Sequence, residues 1–272
     1  AALAALGPPV TEGQLMSDTI LKIEGVVKEF HTFRAVGGPN GLSFDVPRGS
    51  FLGLIRPNGA GKSTTFNLIS GVLTPTQGKV TFDGTDLSSL NIAQTAALGL
   101  GRTFQTPRAF ETLSVIDNVM VGLPHADEGP LKALLGGWRA TEKALLDKAE
   151  AALDRVGLLA RRNDSVSNLS GGELRMLEVA RQLVREPKIL LLDEPTAGVD
   201  PTLQGKLSEI LSQLHAAGTT LIVVEHNLGF LMSLADSVVV LQNGGLLAKG
   251  APDDIRRDPA VIKAYLGADH EA

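Results

Sequence analysis

The chain has 272 residues, of which 43% are hydrophobic and 20% are charged, and this balance supports a packed core in one large domain, or in one domain with an inserted subdomain. The formal charge of −5 argues against a protein that coats duplex nucleic acid, because such proteins carry a basic surface. The absence of cysteine excludes a disulfide framework and thiolate chemistry.

The first stretch, "AALAALGPPVTEGQL", has neither an initiator methionine nor the basic residues of a signal peptide. We therefore expect residues 1–17 to be a tag remnant or a loose tail. The longest apolar runs elsewhere, such as "ILLL" before Asp193, are much shorter than the roughly 20 residues of a membrane-spanning helix.

Strands are predicted for "ILKIEGVVKEF", "LSFDV" and "SFLGLI", and the third leads directly into a glycine-rich loop. The following "KSTTFNLISGVL" predicts a helix, because Phe66, Ile69 and Leu73 recur at spacings of three and four. Next, "KVTFDGTDL" predicts a hairpin that turns at Asp83-Gly84. The order strand, loop, helix is typical of a nucleotide-binding α/β fold.

From about Pro107 to Pro187 the sequence becomes helical in character. Within it, "ATEKALLDKAEAALDRVGLL" predicts an amphipathic helix. Its expected apolar face consists of Leu146, Ala149, Leu153 and Val156.

Two continuous apolar runs, "KILLLDE" and "TTLIVVEH", follow with a helical segment between them. Such runs are typical of parallel strands that are buried on both faces. The segment "VVVLQNGGLLAKG" then predicts a second hairpin around Asn243-Gly244. Together these elements predict a nucleotide-binding α/β core interrupted by a helical subdomain.

The loop "NGAGKST" has the composition of a phosphate site. Gly59 and Gly61 let backbone N–H groups converge, and the next helix adds the positive end of its dipole. Lys62 can reach terminal phosphates, and Ser63 can ligate Mg²⁺. A glycine-rich structural turn is the alternative interpretation.

The strand "ILLLDE" ends in two acids. This position suits Asp193 for holding Mg²⁺ through water and Glu194 for orienting an attacking water. Two solvated acids at a strand end are the alternative when this segment is considered alone. The glycine-rich loop upstream favours the catalytic interpretation.

The segment "LSGGE" places two glycines after a serine at the start of a predicted helix. Its N–H groups and helix dipole suit an anion. Taken alone, the segment is better explained as a helix cap with Glu173 as the partner acid.

Taken in order, "NGAGKST", "FQ", "LSGGE", "ILLLDEPTAGVD" and "VVEH" resemble the ATP-binding subunit of an ATP-binding-cassette (ABC) transporter, over about Ile20 to Gly267. The resemblance implies an α/β fold: a P-loop, RecA-like ATP-binding core with an N-terminal antiparallel β subdomain and an inserted α-helical subdomain. It implies an ATP-binding domain over residues 18–250, a helical subdomain at about 107–187 and a C-terminal helical extension over 251–272.

The resemblance also implies roles for individual residues in the binding and hydrolysis of Mg-ATP. The implied catalytic residues are Glu194, His226 and Gln105, and the implied Mg²⁺ ligands are Ser63, Gln105 and Asp193. Phe30 is implied to stack against adenine, with His31 and Phe33 as neighbours that could replace it. The implied contacts to the nucleotide of the same chain are Asn58, Gly59, Ala60, Gly61, Lys62, Ser63 and Thr64. Ser170, Gly171, Gly172, Glu173 and Asp200 are implied to face the partner cassette.

Within this family, "GRTFQTPRAFETLSVIDNVMVG" and "LLAKGAPDDIRRDPAVIKAYLG" resemble the ATPases of branched-chain amino-acid importers. ATPases of lipopolysaccharide export and of urea-type importers share much of the second segment. The implied partners are a second ABC ATPase subunit, identical or homologous, two transmembrane permease subunits and an external solute-binding protein, with no nucleic acid. The implied location is the cytoplasmic face of the inner or plasma membrane.

Two residues depart from the family pattern. Arg56 stands where the phosphate loop has its first glycine, so one alternative function is an ATP-driven dimerisation switch with little or no hydrolysis. Glu173 replaces a common glutamine and adds a negative charge near a phosphate-binding surface. A soluble ABC ATPase of translation or DNA repair is a further alternative. The sequence argues against it, because the translation type has two cassettes in one chain and the repair type has long coiled coils between the motifs, and this sequence shows neither.

Overall fold

The computed structural model describes residues 19–31, 33–55, 62–104, 108–123 and 138–266. The expected tail at 1–17, the loop residues 56–61 and Gln105 lie outside the described residues. Among the helices within the described ranges, none combines the length and the hydropathy that a membrane-spanning segment needs.

The larger sheet contains the two apolar runs. Its strands are β4 (Phe51–Ile55), β7 (Leu100–Arg102), β8 (Ile189–Asp193), β9 (Thr220–Val224), β10 (Ser237–Gln242) and β11 (Gly245–Gly250). The spatial order is β11-β10-β4-β9-β8-β7, with every pair parallel except β10 and β11. All residues of β8 and β9 are buried, which confirms the prediction of parallel strands covered on both faces.

The smaller sheet is antiparallel and lies in the N-terminal part of the chain. Its strands are β1 (Thr19–Phe30), β2 (Phe33–Val36), β3 (Leu42–Pro47), β5 (Gln77–Phe82) and β6 (Thr85–Asp86), with β1 paired to β2, β3 and β5. Both predicted hairpin turns are confirmed. Asp83 and Gly84 have φ values of 47° and 78°, and Asn243 and Gly244 have 49° and 74°, as two-residue hairpin turns require.

The helices are α1 (Lys62–Ile69), α2 (Ile92–Ala97), α3 (Val115–Met120), α4 (Trp138–Arg155), α5 (Gly171–Leu183), α6 (Pro201–Ala216), α7 (Leu228–Met232), α8 (Pro252–Arg257) and α9 (Pro259–Leu266). Short 3₁₀ turns lie at Leu87–Ser89, Leu159–Arg161 and Val166–Asn168. The helix predicted as far as Leu73 ends earlier, because Gly71 adopts a φ of 70° just after α1.

The predicted apolar face of α4 is wrong at one position. Leu146 is exposed, whereas Ala149, Leu153 and Val156 are buried. Leu145, four residues before Ala149, packs against the core in its place. The buried stripe of a helix follows a spacing of 3.6 residues, so either neighbour fits the pattern, and packing against α3 and α5 selects between them.

The core lies on both faces of the parallel sheet. In β4, Phe51 and Ile55 belong to a cluster with helices α3 to α6, while Leu52 and Leu54 belong to a cluster with α1 and the antiparallel sheet. Side chains alternate between faces along a strand. The faces are therefore occupied by packing, and the carboxyl edge of the sheet is where a ligand site is expected.

Candidate functional site

Three neighbouring parallel strands deliver the predicted site residues to one edge of the sheet. β9 lies between β4 and β8, so the carboxyl ends of the three strands lie side by side. β4 leads into the glycine-rich loop, β8 ends at Asp193 and β9 ends two residues before His226. The carboxyl edge of a parallel sheet is the usual ligand site in open α/β folds.

Glu194 and His226 contact each other at this edge. Nε2 of His226 lies 2.9 Å from Oε1 of Glu194, with the histidine side chain 48% exposed and the carboxylate 13% exposed. Glu194 has a φ of 47°, which is uncommon for a residue with a side chain and is found at active sites. Its N–H donates to the carbonyl oxygen of Val224 at 2.8 Å, which ties this conformation to β9.

Asp193, the last residue of β8, is buried, and its N–H donates to Oγ1 of Thr103 at 3.3 Å. The guanidinium of Arg102 lies on the rings of Phe66 and Phe104, at 4.8 and 5.7 Å from their centroids. Burial lowers the pKa of Arg102, and the charge of Asp193 opposes that shift. Asp193 and Arg102 line the same cavity, so an acid and a cation face one space.

The oxygen ligands at this edge fit Mg²⁺. The described residues contain no group of three or more histidine, aspartate or glutamate side chains that could hold a metal by themselves. Mg²⁺ in nucleotide sites is held by one or two carboxylates together with substrate phosphates. Asp193 supplies a carboxylate of this kind at the end of β8.

Several predicted site residues fall outside what the structure describes. The loop residues Asn58, Gly59, Ala60 and Gly61 lie outside the described residues, as do Arg56, Gln105 and the side chains of Lys62 and Ser63. The backbone of Lys62 begins α1, and Thr64 is half-buried in its first turn.

Ser170 caps the N-terminus of α5. Its Oγ accepts from the N–H of Glu173 at 3.3 Å, and Oε2 of Glu173 accepts from the N–H and the hydroxyl of Ser170 at 2.8 and 2.9 Å. This arrangement is the capping box that the sequence predicts when "LSGGE" is considered alone.

The extra charge of Glu173 is balanced inside the protein. Nη1 of Arg161 lies 2.7 Å from Oε1 of Glu173. Burial raises the pKa of Glu173, but the hydrogen bonds from Ser170 and Arg161 outweigh it and hold that pKa below its usual range. The negative charge that the sequence places near a phosphate-binding surface is therefore paired with Arg161.

The two glycines after Ser170 have different surroundings. A Cβ on Gly172 would lie 2.3 Å from Cδ1 of Leu203, whereas a Cβ on Gly171 would meet nothing within 4 Å. Leu203 lies in the first turn of α6, which Asp200 caps by accepting from the N–H groups of Thr202 and Leu203 at 3.0 and 3.1 Å. Gly172 is thus a packing position between α5 and α6, and Gly171 faces open space.

A buried ion pair that the sequence analysis missed holds the residue before Gln105. Nη1 of Arg175 lies 2.9 Å from Oε2 of Glu178, and both side chains are almost fully buried on α5. Arg175 donates to the carbonyl oxygen of Phe104 at 2.6 Å, and the N–H of Phe104 donates to Oε1 of Glu178 at 2.6 Å. The available signal was two charged residues at buried positions in "LRMLEVARQL".

Phe30 ends β1 and is 42% exposed, with Nζ of Lys28 at 5.3 Å from its ring centroid. Its cross-strand partner Phe33 is 56% exposed. Both rings are open to a planar ligand, so the geometry is compatible with Phe30 and equally with the neighbour Phe33 that the sequence analysis named.

Comparison with known proteins gives the same family throughout. Residues 39–197 match the family described as ABC transporter, and residues 246–271 match the family described as branched-chain amino acid ATP-binding cassette transporter. The high-affinity branched-chain amino acid transport ATP-binding protein LivG of Salmonella typhimurium is 38% identical over 93% of this chain and 99% of its own length. The corresponding protein BraF of Pseudomonas aeruginosa is 36% identical, with the same coverage.

Solved structures agree. A nucleotide-free ATP-binding cassette from an ABC transporter has a TM-score of 0.78 at 32% identity, covering 91% of this chain and 98% of its own. An ATP-binding cassette in its ADP conformation has a TM-score of 0.79 at 33% identity, covering 92% and 99%. The protein whose strands bring Glu194 and His226 together therefore belongs to the ATP-binding cassettes of the ABC transporter family, and is an ABC-type ATPase.

Proposed function

We propose that this protein is the ATP-hydrolysing, energy-coupling subunit of an ABC importer for branched-chain amino acids or a similar small polar solute. The observation that supports the proposal of ATP hydrolysis is the contact of 2.9 Å between Glu194 and His226 at the carboxyl edge of the sheet. The choice of solute is supported by the names of the relatives LivG and BraF and by the match of residues 246–271.

In this proposal Glu194 accepts a proton from the attacking water. Its carboxylate is 13% exposed and hydrogen-bonded to His226, so it has a defined orientation toward the site. The side chain of His226 is 48% exposed, so its ring can reach the γ-phosphate, and Gln105 contacts the water.

Asp193, Ser63 and Gln105 would hold Mg²⁺, which when bound supplies charge neutralisation at the terminal phosphates. The phosphates themselves are held by backbone N–H groups and side chains of residues 58–64, and Phe30 stacks on adenine. Arg102, which lines the same cavity as Asp193, adds a positive charge beside this group.

The active unit in this proposal contains two cassettes. Ser170, Gly171, Glu173 and Asp200 face the nucleotide of the second, identical or homologous, chain, and Gly172 takes part through its backbone N–H, because its Cα packs against Leu203. The open space at Gly171 supports this role, because an approaching phosphate can come close to the backbone there. Two permease subunits, an external solute-binding protein and a peripheral position at the cytoplasmic face of the membrane complete the proposed assembly.

The domain division belongs to the same proposal: an ATP-binding domain over residues 18–250 with a helical subdomain at about 107–187, then a helical extension over 251–272. In the described part, α3, α4 and α5 pack together within the helical stretch, and α8 and α9 lie in the extension.

Mg²⁺-dependent phosphate release by the purified chain tests the proposal, together with binding of a fluorescent ATP analogue. We expect turnover by the parent and its loss in Glu194→Gln with binding retained. Turnover that appears only in Arg56→Gly would contradict hydrolysis by this chain and support the ATP-dependent switch. Reconstitution with branched-chain amino-acid permease subunits in vesicles, with leucine uptake measured against urea uptake, tests the solute.

A further inference from the structure

Glu225, which lies between β9 and His226, is a buried acid with no role in the chemistry described above. It is 4% exposed. Its Oε1 accepts from the N–H of Thr196 at 2.8 Å, and its Oε2 accepts from the N–H groups of His226 and Asn227 at 3.1 and 3.3 Å. Both oxygens of one buried carboxylate are therefore used.

These bonds close a ring through the candidate catalytic pair. Thr196 lies two residues after Glu194, and the side chain of Glu194 contacts the ring of His226. Glu225 joins the backbone next to Glu194 to the backbone of His226. Any shift of the His226 backbone away from the segment after Glu194 consequently has to break bonds to Glu225.

Burying a carboxylate at the end of a strand costs free energy. Burial raises the pKa of Glu225, hydrogen bonds from Thr196 and Asn227 lower it, and the charge of Glu194 raises it again. The four preceding residues, 221–224, are all apolar and buried. An apolar residue here would avoid the cost of burying a charge, but it would leave three N–H groups unpaired.

We propose that Glu225 is a positioning residue that sets the rate of ATP hydrolysis by holding the His226 backbone against the segment that follows Glu194. This inference rests on the proposed function. The same segment continues as a turn toward Asp200, because the carbonyl oxygen of Thr196 accepts from the N–H of Val199 at 3.2 Å.

The test compares Glu225→Gln and Glu225→Leu with the parent in steady-state ATP hydrolysis. We expect Glu225→Leu to lower kcat about 10- to 100-fold, because misplacing a catalytic group by about 1 Å costs about 100-fold, while KM for ATP stays unchanged. Glu225→Gln retains one acceptor oxygen and turns an NH₂ group toward the remaining N–H donors, so its loss should be smaller. Thr196→Val leaves the backbone N–H that donates to Glu225 in place and should have the least effect.

A double variant shows whether Glu225 acts through His226. In a His226→Ala background, Glu225→Gln should leave the residual kcat nearly unchanged, because the group that it positions is already gone. A merely structural role predicts that the two losses multiply. Asp83→Asn, which removes a charge network remote from this edge, is the matched control for lost stability, and its kcat per folded molecule should equal that of the parent.

Amide hydrogen exchange in the nucleotide-free chain separates failure of this inference from failure of the proposed function. The N–H groups of His226 and Asn227 should exchange slowly in the parent and faster in Glu225→Gln. Unchanged exchange would overturn the inference whatever the turnover. Faster exchange in Glu225→Gln than in the parent, together with no phosphate release by the parent, would retain the contact and refute the proposed hydrolysis. Unchanged kcat in both Glu225 variants of an active parent would overturn the positioning role.

Discussion

The ring of His226 and the carboxylate of Glu194 lie 2.9 Å apart, although they follow two different strands. β8 and β9 are parallel neighbours, and Asp193 is in register with Val224. This register places Glu194, the first residue after β8, level with Glu225, so that His226 is only one residue further along. The contact therefore depends on strand pairing as much as on the two side chains.

Removing either side chain of this pair should stop turnover and spare nucleotide binding. For Glu194→Gln we expect kcat to fall by about 100- to 10,000-fold, the usual contribution of a general base. His226→Ala should also lower kcat, because Glu194 loses its contact with the His226 ring. Single-turnover phosphate release and equilibrium binding of a fluorescent ATP analogue measure the two effects separately, and a loss of binding equal to the loss of turnover would contradict these roles.

Gly171→Ala tests whether the N-terminus of α5 meets a ligand. A Cβ there meets nothing within 4 Å, so the isolated chain should be as stable as the parent or slightly more stable. Hydrolysis should nevertheless fall if phosphate oxygens approach this backbone closely. Gly205→Ala is the matched control, because it is also a helical glycine with open space at Cβ. Equal activity of the two variants would argue against a ligand at Gly171.

Replacing only one partner of the Arg175–Glu178 pair should lower the free energy of unfolding substantially. Glu178→Leu removes the carboxylate from a buried arginine, and breaking such a pair costs about 3–5 kcal/mol. Arg175→Leu combined with Glu178→Leu should cost less than the two single changes together, because no buried charge loses its partner. Urea unfolding of the three variants measures this coupling, and strict additivity would show that the pair acts as two independent contacts.

The double variant also tests what the pair does for Phe104. Both backbone groups of Phe104 bond to Arg175 and Glu178, and Gln105 follows directly. We expect hydrolysis by the double variant to remain low even at temperatures where it is fully folded. Hydrolysis at the parent rate would show that the pair contributes only to stability.

Asp83 should make stability depend on pH in the acid range. Its carboxylate oxygens lie 2.5 Å from Nη2 of Arg48 and 2.5 Å from Nζ of Lys188. Hydrogen bonds from Lys188 and then Arg48 hold the pKa of Asp83 below its usual range. The stabilisation is therefore fully present above the unfolded-state pKa of about 3.9, and it is lost as the pH falls through the lower folded-state value.

Asp83→Asn isolates this effect, because asparagine also tolerates the positive φ of the turn. We expect a loss of about 1 kcal/mol at pH 7, since both cations are half-exposed and screened. The difference between variant and parent should shrink on acidification, as measured by urea unfolding at several pH values. A difference that is constant with pH would assign the loss to the turn and not to the charge.

Local sequence patterns predicted the structure correctly where residues close together in the chain determine it. The hairpins at Asp83-Gly84 and Asn243-Gly244 follow from residues that tolerate positive φ. The buried strands β8 and β9 follow from unbroken apolar runs. Pattern was a poorer guide on α4, where Leu145 and Leu146 fit the same spacing and neighbouring helices selected the first.

By itself, the sequence determined the order of strands, glycine-rich loop and acids, and with it the α/β class and the family, because these depend on residue type and short spacing. Only the tertiary structure decided which distant groups meet. It paired Glu194 with His226, balanced Glu173 with Arg161, bonded Arg175 to Phe104 across 71 residues and enclosed Glu225 among three N–H groups. Such contacts depend on sheet register and helix packing, which join segments that no local pattern relates.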